Sequence, residues 1–217
     1  MERNYYMVRA MTSSEQDFKI FFEKSVVAVG WSDVDFSKYT KDKTEELVSS
    51  VKETYYNSNN VFAPAVGKKL NEVRRFHNIQ KDDFIIIPYY NAIRLAVAED
   101  NILYDRSAYE YDLSNQRKVK YVRSGDSDKT IPRDVLSEAL QRRLRVRGST
   151  VSDLYEFKDE IEKLFSKDDY TWASGFEEKE TELKNSFKNK LISKIKSGNT
   201  NLKTGGIGLE HLVRELL

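Results

Sequence analysis

The 217-residue chain is long enough to bury a sizeable core, and its hydrophobic fraction of 39% with 33% charged residues predicts a polar protein that folds in water. No apolar run approaches the roughly 20 residues that span a bilayer, and no signal-peptide core follows the N-terminus, so we expect a cytoplasmic protein without a membrane partner. The absence of cysteine excludes disulfides and thiolate metal sites, whereas a net charge of +1 neither favours nor excludes a nucleic-acid partner.

The first part of the chain alternates predicted strands with predicted helices. Strands over 5–9 and 26–30 flank a helical segment at 15–24. A helix over 43–56 carries apolar residues four positions apart, and Pro64 is placed to open the next helix.

The stretch 74–99 is the centre of the predicted fold. The continuous apolar run at 84–87 is typical of a strand buried on both faces. The strand that follows carries apolar residues at alternate positions from Ile93 to Val97, and a turn around Tyr90 joins the two. We expect this turn to lie at the mouth of a small barrel and to form the working end of the molecule.

Basic and apolar residues alternate over 118–123, as in a strand with one exposed face. Five or six strands interleaved with helices therefore predict an α+β fold with a small, curved sheet that closes into a barrel. A flexible loop at 125–129 is the predicted domain boundary.

A helical region follows this loop. Helices are predicted over 134–144, 150–165 and 176–196, and a linker follows over 197–208. The apolar helix that begins at Leu209 is expected to be the first element of a further domain.

The order of several segments resembles a known family. These segments read VAVGWSDVDFS, GKKLNEVRRFHNIQKDDFIIIP, a tyrosine-rich stretch, KVKYVR and IPRDVLSEALQRRLRVRGSTV, and together they are similar to the N-terminal region of Mrr-like restriction endonucleases. The tail GGIGLEHLVRELL resembles the opening helix of the Mrr-type PD-(D/E)XK nuclease domain, with Glu210 at its acidic position. Two positions depart from the family pattern: Asp82 stands where Gly is usual before the central strand, and Leu209 replaces the usual Phe.

The resemblance implies a domain organisation and a function. Residues 1–124 would form a PUA/EVE-like barrel that recognises DNA, including a modified or extruded base, in defence against foreign DNA. Residues 130–196 would form a helical support, and 206–217 would be the start of the nuclease domain. This chain would then bind DNA without cleaving it and would need no cofactor, while the missing nuclease domain would use Mg. Two other classes stay open, an RNA-binding PUA-like module and a sensor of a nucleotide signal, and so does assembly into a homo-oligomer.

Aromatic and basic residues supply the candidate nucleic-acid contacts. The candidates are Trp31, Ser32, Asp33, Tyr89, Tyr90, Arg94, Tyr104, Arg142, Arg143, Arg145 and Arg147. An indole can stack on a base while polar neighbours read the edge of that base, although Trp31 can equally pack in the core. We expect the tyrosines, with Tyr109 and Tyr111, to line one cavity, although a tyrosine is also an ordinary strand residue.

The basic candidates point to phosphate. The four arginines at 142–147 form a dense positive patch that would bind a phosphate backbone without sequence preference, or would instead pair with the acidic helix over 153–162. Arg94 lies on a strand and needs a partner, either a phosphate or a carboxylate such as Asp105. No catalytic residue is predicted, because two histidines without cysteine or a Gly-x-Ser-x-Gly motif give no basis for a nucleophilic triad.

Overall fold

The computed structural model describes residues 3–10, 15–57, 63–124, 127–145, 148–166 and 188–189. Residues 1–170 form one unit and 171–217 a second, and the description below concerns the first. Arg147, nearly all of the predicted helix over 176–196, the linker at 197–208 and the terminal apolar helix lie outside the described residues.

Strands, α-helices and short 3₁₀ turns make up the described unit. The strands are β1 (Tyr5–Val8), β2 (Val26–Val29), β3 (Phe84–Tyr89), β4 (Ala92–Tyr104), β5 (Asn115–Tyr121), β6 (Arg123–Ser124), β7 (Ser127–Asp128), β8 (Thr130–Pro132) and β9 (Val151–Asp153). The α-helices are α1 (Glu15–Glu23), α2 (Thr44–Tyr55), α3 (Ala63–Asn78), α4 (Glu138–Arg145) and α5 (Lys158–Ser166). The 3₁₀ turns are Phe36–Lys38, Lys41–Lys43, Arg106–Tyr111, Arg133–Val135 and Tyr155–Phe157.

The main sheet has the strand order β2-β5-β4-β3-β1-β9, and β8 also pairs with β4. The pairing of β1 with β3 is parallel, and the other pairings in this sheet are antiparallel. The register of β4 on β5 shifts between Ala98 and Ile102, an irregularity of the kind that bends a strand. The sheet is strongly curled into a half-barrel, which confirms the predicted α+β class with a curved sheet. Among the described strands the sheet stays open rather than closing into a full barrel, because β2 and β9 stand at its two ends.

The sheet separates two hydrophobic cores. Residues such as Ile85 and Ile87 enter a core shared with α1, α2 and α3, whereas Ile86 enters a second core with residues of α4 and α5. All three isoleucines are fully buried, so the prediction of a strand covered on both faces is confirmed. Burying an aliphatic side chain of this size stabilises a fold by about 1.5–3 kcal/mol.

The helices before β3 form where the sequence predicts them, but the segments after β8 differ. The predicted helix at 134–144 is a 3₁₀ turn followed by α4. Ser137 directly precedes α4, and its Oγ accepts the amide of Leu140 (3.2 Å) in the manner of an N-cap. The spacing of apolar residues over 134–144 predicts that Ala139 faces inward, but this residue is exposed. The predicted helix at 150–165 begins instead with β9, which pairs with β1, and α5 starts at Lys158.

Strands on both sides of the predicted boundary at 125–129 belong to one sheet. The division into the predicted domains stays a prediction.

Two neighbouring aspartates shape the connection from α3 to β3. Asp82 has a φ of 69°, a left-handed conformation that glycine adopts most easily and that aspartate tolerates. The buried carboxylate of Asp83 accepts the amides of Asn4 (2.9 Å) and Gln80 (2.7 Å). Asp82 therefore provides the turn that a glycine would otherwise favour, and Asp83 fastens β1 beside β3.

Replacing these two aspartates should change the unfolding free energy by different amounts. Asp83→Ala leaves two main-chain donors without their carboxylate partner, so we expect the unfolding free energy to fall by about 2–3 kcal/mol. Asp82→Gly relieves the left-handed strain but makes the unfolded chain more flexible, so its stability should stay within about 1 kcal/mol of the original protein. Urea unfolding followed by circular dichroism measures both changes. An equal loss in the two variants would contradict this account of the turn.

His77 should make stability depend on pH. Its imidazole is almost fully buried, with Nδ1 2.9 Å from Thr44 Oγ1 and Nε2 3.0 Å from the Tyr39 carbonyl. Burial lowers the pKa of His77, so the folded protein keeps the ring neutral at a pH where the unfolded chain, with a pKa of about 6.5, takes up a proton. The unfolding free energy should therefore decrease as pH falls below about 6.5 towards the lowered pKa of the folded state.

The variant His77→Gln isolates this contribution. It retains His211 and every carboxylate, so the difference between the two proteins reports on His77 alone. Urea unfolding between about pH 7.5 and pH 5.5, one unit above and below the pKa of free histidine, should give a flatter profile for the variant. Parallel profiles would show that His77 is not the titrating group.

Candidate nucleic-acid interface

A solvent-open groove of about 810 Å³ lies along β5. Lys118 and Lys120 are exposed on this strand, and the residues that alternate with them, Val119 and Tyr121, are buried. This burial pattern confirms the predicted half-exposed strand. Other lining residues are Phe22, Lys24, Ser25, Val97, Glu99, Val122, Arg123 and Asp128.

The charges around the groove leave a positive excess. Lys24 forms an ion pair at 2.5 Å with Asp105, a residue that does not line the groove. This lysine lowers the pKa of Asp105 to about 2. Asp128 is held by Arg94 at 2.9 Å, with Arg123 more distant at 4.0 Å. Within the described part of the chain, neither Lys118 nor Lys120 forms an ion pair. These two ammonium groups are therefore free to meet an anionic ligand.

The aromatic wall of the groove is Phe22 of α1, which is half-buried. Its ring packs edge-on against Tyr121 and Tyr89, with centroids 5.2 and 5.3 Å away. The guanidinium of Arg94 lies 3.8 Å above the same ring. Arg94 thus connects Phe22 to Asp128. Of the two partners that the sequence left open for Arg94, a phosphate or a carboxylate, the structure shows a carboxylate, that of Asp128 and not that of Asp105.

Trp31 packs in the first core, one of the two placements that the sequence left open. Its side chain is 8% exposed, its ring stacks against Phe36 with centroids 6.3 Å apart, and its Nε1 donates to the Tyr56 hydroxyl at 3.0 Å. To stack on a base, the indole would have to leave this packing.

Ser32 and Asp33 take part in the same internal network. The Ser32 carbonyl accepts the Tyr104 hydroxyl (2.6 Å), and the Ser32 amide donates to Asp112. Asp33 accepts the hydroxyl of Tyr109, and its amide donates to Tyr55 at 2.8 Å. Three predicted contacts, Ser32, Asp33 and Tyr104, therefore already bind protein groups.

The predicted tyrosines do not share one cavity. Tyr89 and Tyr90 lie beside α1, where Tyr90 is 60% exposed at the tip of the β3–β4 turn. Tyr104 and Tyr109 belong instead to the network around Ser32 and Asp33. Tyr111 lines a separate small pocket beside α1.

The arginines of α4 are partly paired within the protein. Arg142 lies 3.3 Å from Glu138, and Arg143 lies 3.8 Å from Glu156 while donating to the Asp153 carbonyl. Arg145 contacts the Gln141 amide at 3.4 Å. The alternative in which the patch pairs with the acidic segment 153–162 thus holds for Arg143, whereas Arg142 pairs within α4. Exposed pairs of this kind contribute little to stability, so both arginines could exchange their partners for phosphate.

The described residues contain neither a metal-binding cluster nor a membrane-spanning helix. No three histidines, aspartates or glutamates are grouped there in a way that could hold a metal ion. None of the helices described is both long enough and apolar enough to cross a bilayer. The magnesium expected for a further nuclease domain stays a prediction.

The groove brings together residues that were not singled out as contacts. Lys118, Lys120 and Arg123 belong to the motif KVKYVR, whose alternation already placed the two lysines on one face of a strand. Phe22 gave no comparable signal, because its place beside β5 depends on how α1 packs on the sheet.

Comparison of the sequence with protein-family models and with curated proteins finds no match.

Arg94 should be a structural anchor of the groove. Arg94→Ala removes the contact with Asp128 and the cation–π contacts with Phe22 and Tyr89, so we expect a loss of about 1–2 kcal/mol in unfolding free energy. Arg123→Ala is the matched control, because its side chain is 72% exposed. Thermal and urea unfolding should separate the two variants, and equal stabilities would rule out the anchoring role.

Proposed function

We propose that the protein binds a nucleic-acid strand, DNA in the first instance, in the groove along β5. The observation that carries this proposal is the combination of two unpaired lysines with a half-buried aromatic ring in one open groove. Lysines supply salt-sensitive affinity for phosphates, and an aromatic ring offers a platform for a base.

The spacing of the lysines suits a strand that runs along β5. Lys118 and Lys120 are two positions apart on a strand, so their attachment points lie about 6.6 Å from each other. Neighbouring phosphates of an extended single strand can meet two such cations, while Arg123 continues the positive line at the end of the groove.

The finer assignments rest on the resemblance described above. We propose DNA rather than RNA, a PUA/EVE-like fold, and a role as the recognition region of a Mrr-like restriction endonuclease on that basis. An RNA-binding module is the second candidate, because stacking and phosphate contacts do not by themselves distinguish the two polymers. The open shape of the groove favours a strand over a small nucleotide signal, which proteins usually enclose.

The double variant Lys118→Gln/Lys120→Gln tests the groove. For single-strand binding, the slope of log K against log salt concentration should become shallower by about 1.4, because two phosphate contacts are lost. The affinity at low salt should fall about tenfold or more. Fluorescence anisotropy at two salt concentrations measures this for single-stranded DNA, duplex DNA with and without a modified base, and RNA of the same sequence.

The control is Lys52→Gln/Lys81→Gln, which removes the same charge from exposed positions outside the groove. It should keep nearly the original affinity. Equal losses of affinity in the two double variants would show that the effect comes from net charge alone. The absence of binding to every polymer would overturn the proposal. Tighter binding of RNA than of either form of DNA would favour the second candidate.

A further inference from the structure

Three arginines that do not line the groove come from elements that share the second core. Met7 of β1, Ile131 of β8 and Leu144 of α4 all enter this core, and each lies one or two positions before one of the arginines. Arg9 directly follows β1, Arg133 opens the 3₁₀ turn after β8, and Arg145 is the last residue of α4. The Nη2 of Arg9 donates to the main-chain carbonyl of Leu144, so the Arg9 side chain reaches the residue next to Arg145.

Arg133 is fixed by the main chain of the β3–β4 turn. Its amide donates to the Asn91 carbonyl at 3.0 Å, and its Nε donates to the Ala92 carbonyl at 3.2 Å. The second of these bonds occupies the Nε of its guanidinium group. The Arg9 amide is likewise bound to the Thr150 carbonyl at 2.9 Å, so the backbones that carry both side chains are held in place.

The cluster lacks a balancing negative charge. Within the residues that the structure describes, none of the three guanidinium groups forms an ion pair with a carboxylate. The Nε of Arg9 is buried and has no hydrogen-bond partner. Arg142 and Arg143 on the same helix do have acidic partners, which sets Arg145 apart from them.

The crowding of these charges also affects Arg133. Burial lowers the pKa of Arg133, and the positive charges of Arg9 and Arg145 lower it further. Burial likewise lowers the pKa of Arg9. All three groups remain protonated, so the protein bears the cost of holding like charges together. An anion bound among them would remove this cost.

We propose that Arg9, Arg133 and Arg145 form a binding site for a phosphate group that carries two negative charges, as in a phosphate monoester or pyrophosphate. The planar guanidinium group binds phosphate oxygens in a bidentate manner, and three such groups exceed what one singly charged phosphodiester needs. The site shares no residue with the groove along β5, so it does not depend on the function proposed for that groove.

Binding of inorganic pyrophosphate, measured by isothermal titration calorimetry at low ionic strength, tests the site. Arg145→Gln removes an exposed member of the cluster and should not disturb folding, and Arg133→Gln removes the central member. Each should weaken binding about tenfold or more, equivalent to at least about 1.4 kcal/mol. Arg142→Gln is the matched control, since this exposed arginine lies on the same helix and is paired with Glu138.

The control variant should bind within about twofold of the original protein, a difference of less than about 0.5 kcal/mol. The proposal is overturned if the original protein does not bind pyrophosphate, or if Arg142→Gln and Arg145→Gln lose the same affinity. If Arg133→Gln fails to fold, as circular dichroism would show, Arg145→Gln decides the outcome.

Two sources could provide the phosphate group, and a second measurement separates them. One oligonucleotide is prepared with a terminal phosphate and with a terminal hydroxyl at its 5′ end. Tighter binding of the phosphorylated form, with the difference lost in Arg145→Gln, assigns the site to a strand end. Equal binding of both forms, alongside retained pyrophosphate binding, assigns it to a small phosphorylated compound. If the lysine variants of the groove bind nucleic acid as tightly as the original protein, the function proposed for the groove fails. Both results for the arginine site still hold in that case, because the lysines are not part of it.

Discussion

The pairing of β3 with β4, buried on both faces, is the constraint on which the rest of the structure depends. Because consecutive side chains of a strand point to opposite faces, the apolar run in β3 supplies two cores at once. Helices α1, α2 and α3 cover one face, and α4 and α5 contribute to covering the other. Beside β5 the surface remains open, and the groove lies there.

The two candidate sites differ in whether their charged side chains have partners within the protein. In the groove, Arg94 is neutralised by Asp128 and stacks on Phe22, so it supports the aromatic wall instead of facing solvent. Lys118 and Lys120 keep their charges available on the exposed face of β5. In the arginine cluster, by contrast, half-buried Arg9 and Arg133 form no ion pair with a carboxylate of the described residues. The groove therefore suits a long ligand with weak contacts, and the cluster suits one compact anion.

Local patterns in the sequence account for the elements whose residues contact near neighbours. The apolar run of β3, the turn at Tyr90 and the helical spacing in α2 each predicted the observed structure. The strand β9 was missed because three residues carry too little periodicity, and it exists through its pairing with β1. The lysines of β5 were visible as an alternating pattern. Neither the contact of Phe22 with β5 nor the contact of Arg9 with Leu144 could be predicted, because each depends on segments far apart in the sequence.

The position of β1 has a consequence for how quickly the chain can fold. This strand lies between β3 and β9, so its two neighbours come from the middle and the far end of the described unit. The antiparallel β3–β4–β5 meander can assemble from nearby segments, whereas β1 must wait for two long loops to close, at an entropic cost that grows with loop length. Insertion of the N-terminal strand should thus be the slow step of folding, and a chain caught before it would expose the edge of β3 to association with other molecules.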